Sequence, residues 1–121
     1  MGMYGFKRQF VPLIVNGTKH HTIRARRKIE DIPGSIMHLY YDLRQPSCTL
    51  IARVPCVKVA GVYIPNRRVI QIDGQWLDYN QRQMIAESDG FTCFEEMSGF
   101  FAGRLPFEGK IYHWKPLKGR K

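Results

Sequence analysis

The spacing of hydrophobic positions along the chain changes several times, and each change marks an expected element. Phe6 ends a first short strand. Phe10, Leu13 and Ile14 then recur three and four apart, with Pro12 suited to a first helical turn, so a short helix with one buried stripe is expected up to Asn16 and Gly17. Gly17 can take the left-handed conformation that ends a helix and turns the chain into a strand. If residues 22–24 are extended, Thr22 and Arg24 share one face and Ile23 points the other way, into a core. Lys19 has the wrong parity to join Thr22 in an unbroken strand. A site that uses both therefore requires Lys19 to sit on the turn.

Pro33-Gly34 is a turn signal, followed by alternation over residues 36–41 in which both faces carry apolar surface. Residues 42–47 contain Pro46 and are expected to be a loop. Residues 48–54 form a second strand antiparallel to the previous one; Pro55 interrupts it, and Val57 and Val59 resume the extended run. Residues 69–72 and 75–77 flank Asp73-Gly74, a pair favoured where both turn residues need positive φ, so a hairpin is expected with Trp76 packed across from its first arm. Residues 78–87 are expected to be a helix capped by Asp78, with Met84 and Ile85 facing inward. Asp89-Gly90-Phe91 separates it from a second helix. Thr92-Cys93-Phe94-Glu95 fits a capping box for that helix, Phe94, Met97 and Phe101 give its buried stripe, and Gly103 ends it. Residues 110–115 form a last strand stopped by Pro116, and residues 117–121 form a basic tail. This order predicts an α+β protein: a mixed, mainly antiparallel β-barrel or strongly curved sheet with flanking helices.

The length of 121 residues suits one domain over residues 1–121, and a hydrophobic content of 44% is enough for a core. Charge adds more. Nineteen Lys and Arg against ten Asp and Glu leave +9, a surplus that attracts polyanions, of which nucleic acid is the commonest in a cell. Lys19, Arg24, Arg26, Arg27 and Lys28 place five cations within ten residues, a run able to neutralise phosphates. Tyr40, Tyr41 and Trp114 are candidates to stack on bases. Three cysteines with no C-x-x-C pair indicate neither a disulfide framework nor a zinc ribbon, and reduced, mostly buried thiols are expected. No apolar run reaches the roughly 20 residues needed to cross a bilayer, so a cytoplasmic protein with no membrane partner is expected. His20, His21, His38 and His113 do not share ligand spacing with an acidic partner, and neither a metal nor another cofactor is implied.

Gly17-x-Lys19-x-x-Thr22-x-Arg24 resembles the G-x-K-x-x-T-x-R signature of the ASCH domains, small relatives of the PUA RNA-binding fold. The resemblance extends to the turn and strand around Pro33-Gly34, the segment from Ala86 to Phe91, the aromatic helix after it and the strand ending in His113-Trp114. It implies a PUA-like barrel whose motif face lines a cleft. It also implies RNA or DNA binding, ribonuclease activity, or hydrolysis of the acetyl amide of N4-acetylcytidine, a modified nucleoside. The amidohydrolase branch combines the lysine and threonine of this motif with a glutamate from the later helical region; Lys19 and Thr22 match the first two, and Asp89 stands at the third, one methylene shorter.

Amide hydrolysis needs a nucleophile, a base and donors for the developing oxyanion. Thr22 can attack while Lys19, kept partly neutral by burial and by Arg24, takes the proton, and Asp89 orients Lys19 or serves the leaving amine; which group is the base stays open. In RNA cleavage, Lys19 and Arg24 would stabilise the phosphorane and Asp89 would deprotonate the 2′-hydroxyl. Simple binding needs only the cations and a stacking ring. Of these readings, RNA or other nucleic-acid binding through the basic cleft stands first, then N4-acetylcytidine hydrolysis, then ribonuclease activity.

Overall fold

Gly2–Phe6 forms the first strand, β1, in the computed structural model of the chain, which describes residues 2–28 and 30–118. A 3-10 turn, Arg8–Phe10, leads into α1, Val11–Val15, which has Pro12 in its first turn. Phe10 and Ile14 of this segment are buried and Leu13 packs against the core, as the three-and-four spacing requires. Gly17 has a φ of 89° and closes the turn, and the Lys19 amide donates to Leu13 O at 2.9 Å. The chain then enters β2, His21–Ala25. Beyond a turn in which Gly34 has positive φ come β3, Ile36–Tyr41, and β4, Thr49–Pro55.

The next strand, β5, is Lys58–Asn66, and it is far longer than the run expected to resume at Val57 and Val59. Ala60, Val62 and Ile64 alternate inward along it, a pattern masked in the sequence by Gly61 and Pro65. Val69–Ile72 and Gln75–Trp76 form the hairpin β6–β7 around Asp73-Gly74, both with positive φ. Trp76 pairs with Gln71, its ring lying 6.3 Å from that of Tyr63. α2 spans Tyr79–Ser88. Asp78 caps it in a reciprocal box with Gln81, the two bonds measuring 2.8 and 2.9 Å. Met84 does not face inward: it is 70% exposed, and Ala86 takes the buried position beside half-buried Ile85.

α3, Phe94–Phe100, buries Phe94 and Met97, and Phe101 is buried just beyond it. Its entry differs from the expected box: Cys93 caps without a side-chain bond, and Glu96, not Glu95, accepts from the Thr92 amide at 3.0 Å. The helix stops before Gly103, and a 3-10 turn, Ala102–Arg104, continues the chain. The last strand, β8, is Phe107–His113, so it starts three residues earlier than expected and holds Gly109 within it. The basic tail falls partly outside the described residues, at 119–121.

The strands form two sheets. One has the order β1-β3-β4, with β1 and β3 parallel and β3 and β4 antiparallel; the other is antiparallel throughout, in the order β2-β8-β5-β6-β7. The chain is therefore α+β and mainly antiparallel, as its pattern predicts, but among the described residues no ladder joins β1 to β2, so the strands do not close into a barrel. One buried cluster fills the space between the sheets and the helices, with Met37 and Leu39 from one sheet, Ile64 and Ile111 from the other, and Ile14 and Met97 from the helical segments. Ile111 and Tyr112, on opposite faces of β8, are both fully buried, which places that strand at the centre of the molecule. Tyr4 donates to Asp31 Oδ2 at 2.5 Å and Ser35 donates to Oδ1 at 2.7 Å, fastening β1 to the turn before β3. No helix among the described residues is long and apolar enough to cross a membrane.

Candidate functional site

Two backbone turns bring the candidate residues together. On one side, the end of α1 holds the Lys19 amide, leaving the lysine before β2 begins, where strand parity does not act. On the other, α2 ends in a Schellman arrangement: the Phe91 amide donates to Ala86 O at 2.9 Å and the Gly90 amide to Glu87 O at 3.1 Å, with Gly90 at a φ of 102°. A Cβ on Gly90 would lie 2.9 Å from the Phe10 ring and 3.0 Å from Leu13, so the corner seats directly on the segment that leads into and through α1. Asp89 is carried to Lys19 by this contact.

Lys19 Nζ donates to Asp89 Oδ1 at 2.6 Å and to Asp89 O at 2.9 Å. Only 3% of Lys19 and 5% of Asp89 are exposed, so the pair is desolvated. Burial drives the Lys19 pKa below its ordinary value despite the opposing pull of Asp89. Burial acts to raise the Asp89 carboxyl, but the Lys19 ammonium and the contact with His21 outweigh it and hold the group below the usual carboxylate range. Lys19 Nζ also lies 5.1 Å from the centre of the Phe10 ring and 5.8 Å from that of Phe6.

Thr22 and Arg24 lie on one face of β2, as alternation predicts, and Ile23 is buried on the other. Arg24 Nε donates to Thr22 Oγ1 at 2.9 Å, and Arg24 Nη2 donates to Gly5 O at 2.8 Å on β1. The guanidinium thus spans the gap between the sheets. Burial, followed by the neighbouring Arg27, lowers its pKa to about 10, which leaves it charged at neutral pH. Its carbon is 4.9 Å from the centre of the Phe6 ring.

Lys19, Thr22, Arg24 and Asp89 all line one cleft of about 240 Å³, together with Lys7 and Arg104 and with the rings of Phe6, Phe10, Phe91, Phe100 and Phe101. No match to a family model, a curated protein or a solved structure was found for this chain. The site therefore has to be read from its own chemistry.

The rest of the cationic run does not join this cleft. Arg26 lines a separate groove beside β5 and β8, Arg27 packs 4.2 Å over the Tyr4 ring and donates to Met3 O, and Lys28 is exposed. Tyr40 lies on β3 beside His38, outside the cleft lining, and Trp114 is buried against Phe6 and cannot stack on a ligand. Of the thiols only Cys56 is buried; Cys48 is exposed and Cys93 is half-buried. Among the described residues, no group of three or more His, Cys, Asp or Glu side chains is placed to hold a metal ion.

Lys7 and Arg104 in the cleft lining are site residues that the sequence did not reveal, and so is His21. Its Nε2 lies 3.1 Å from Asp89 Oδ1, too far off line for a good hydrogen bond, and the side chain is 2% exposed. The ring sits 5.5 Å from that of His113, its partner across the β2–β8 ladder. Burial, with His21 next in effect, lowers the His113 pKa to about 4. A histidine whose folded value is depressed in this way adds stability that is complete above its ordinary value near 6.5 and is lost as pH falls towards 4. Urea midpoints should therefore decline across that window, and His113→Gln should flatten part of the decline; an unchanged slope in the variant would assign it to other groups.

Proposed function

We propose that the protein is an ASCH-type domain of PUA-like fold that binds RNA or another nucleic acid by taking one unpaired base into the Lys19–Asp89 cleft. The observation that carries this reading is the combination of size and lining. A cleft of about 240 Å³ lies just below the roughly 300–1,000 Å³ of drug-sized ligand sites, so it suits one base or nucleoside better than a helix. Its walls supply aromatic faces, among them the 42% exposed Phe100, and four cations against one carboxylate. Stacking and charge are what single-stranded recognition uses.

A second reading, hydrolysis of N4-acetylcytidine, is favoured by the Arg24–Thr22 bond. A hydroxyl that accepts from a guanidinium loses its proton more readily, since the donor stabilises the alkoxide. In that reaction Thr22 Oγ1 bonds to the acetyl carbon, its proton passes to the Lys19–Asp89 pair and then to N4, and the C–N bond breaks to release cytidine. Water then hydrolyses the acetyl-threonine ester to acetate and regenerates the hydroxyl. Lys7 or Arg104, both lining the cleft, are the donors available to an oxyanion.

Mass spectrometry of N4-acetylcytidine and of a mixed-sequence RNA after incubation with the protein separates the readings. Loss of acetyl in the wild type and in Thr22→Ser, with none in Thr22→Val, is expected for the hydrolase. Both substrates unchanged, with the RNA retained in a salt-sensitive complex, is expected for the binding domain. RNA fragments in the wild type alone would replace both with a nuclease.

A further inference from the structure

A second groove, of about 450 Å³, lies beyond α3 from the cleft: Phe94 and Glu95 of the helix line it, whereas Phe100 at the other end of α3 lines the cleft. Arg67, Arg68 and Arg82 converge on it from the β5–β6 turn and from α2. Among the described residues none of the three forms an ion pair with a carboxylate. Two are pre-set by backbone oxygens. Arg67 Nη2 donates to Glu95 O at 3.1 Å and Arg82 Nη1 to Leu77 O at 2.8 Å. Each bond uses only part of a five-donor fork, and the remaining N–H groups are held in place at little further loss of rotamer freedom. Arg68 has an exposed side chain with no partner among the described residues. Tyr79, 73% exposed, stands at the same groove and offers a ring face.

We infer that this groove is a second nucleic-acid site, which holds the phosphodiester backbone of single-stranded RNA on Arg67, Arg68 and Arg82 while a base stacks on Tyr79. Guanidinium forks match phosphate geometry, and a neighbouring exposed aromatic ring distinguishes a polynucleotide from a simple anion. The groove is larger in volume than the cleft and has no Lys–Asp pair, so it grips a chain without selecting a base. α3 covers about 10 Å at 1.5 Å per residue, short enough for one strand to run from the groove to the cleft. The inference rests on the nucleic-acid reading for the identity of its ligand, but not on the cleft.

Cys93 lines the groove and reports on it directly, while exposed Cys48 lies outside the groove lining and serves as an internal control. The test is alkylation of the intact protein, followed residue by residue in peptide mass spectra, with an oligouridylate of about 12 nucleotides, within the usual span of such sites. Expected is at least a fivefold slowing at Cys93 with none at Cys48. Thr22→Val should keep this protection, which separates a failure of the cleft reading from a failure of the groove. Arg68→Ala touches no internal contact, so it should fold, weaken binding several-fold and lower the salt slope by about 0.7, the value for one phosphate on a single strand. Unchanged Cys93 reactivity with RNA, an unaltered salt slope in Arg68→Ala, or equal protection by polyglutamate would each overturn the assignment, the last by making the groove a surface for acidic protein.

Discussion

Lys19→Ala should lower the unfolding free energy by about 3–5 kcal/mol, the range seen when one member of a buried ion pair is removed. The variant leaves the Asp89 carboxylate, 5% exposed in the wild type, with only the misaligned contact of His21. Without the ammonium, desolvation dominates and the Asp89 pKa moves above its ordinary value of about 3.9. The pH dependence then changes sign. In the wild type Asp89 is held below that value, so its contribution is complete above it and fades as acid protonates the folded state. In the variant the buried charge is a penalty at neutral pH, and the penalty is relieved as pH falls through the raised value. Urea titrations of the two proteins should therefore converge between about pH 6 and pH 3. A constant difference would show that Lys19 acts through packing alone. Lys19→Met combined with Asp89→Leu should recover most of the stability, because an apolar pair of similar volume removes both desolvation penalties. It should recover no cleft function.

Gly109→Ala should be nearly as damaging, for a reason of space and not of charge. Gly109 pairs with Ala25 across the β2–β8 ladder, and a Cβ there would fall 2.1 Å from the backbone oxygen of Arg24 and 2.9 Å from the Phe107 ring. A backbone oxygen in a ladder cannot swing aside as a side chain can. Overpacking of this kind costs about 1–3 kcal/mol and occasionally more, and here it also pushes β2 away from β8, moving Thr22 and Arg24 together. Gly61 on the adjacent strand is the internal comparison. A Cβ there meets nothing within 4 Å, so Gly61→Ala should be neutral or stabilise by up to about 1 kcal/mol through the unfolded chain. Paired thermal melts of the two variants test this, and equal shifts would contradict it.

The parts of the site set by local chemistry were legible in the sequence. Parity set the condition that Lys19 sit on the turn after Gly17, which the structure meets, alternation placed Thr22 and Arg24 on one face, and Asp89-Gly90-Phe91 marked the corner between helices. What brings Lys19 and Asp89 together is contact between parts of the chain 70 residues apart, and no period along the chain encodes it. His21 was lost for the same reason. Its parity assigns it to the Ile23 side, and only the seating of Gly90 on Phe10 and Leu13 shows that Asp89 reaches that side as well. The length of β5 was hidden by Gly61 and Pro65, and Gly109 fell just outside the expected last strand because the need for a close strand approach cannot be seen in one strand alone. The cationic run from Arg26 to Lys28 misled in the opposite sense: adjacent in sequence, its members part at the end of β2 towards a different groove, the Tyr4 ring and solvent.

Where a closed barrel would carry a ladder of backbone bonds between β1 and β2, this protein has the side chain of Arg24, bonded to Gly5 O, and an open cleft beside it. Among the described residues the seam therefore carries no backbone ladder, and the Arg24 side chain crosses it. A ligand that fills it bridges the halves and stabilises the whole fold by mass action, about 2.7 kcal/mol at a hundred times its dissociation constant. Melting temperature should then serve as a binding assay that needs neither a label nor turnover, so a panel of nucleosides can be ranked by how firmly each zips the molecule shut.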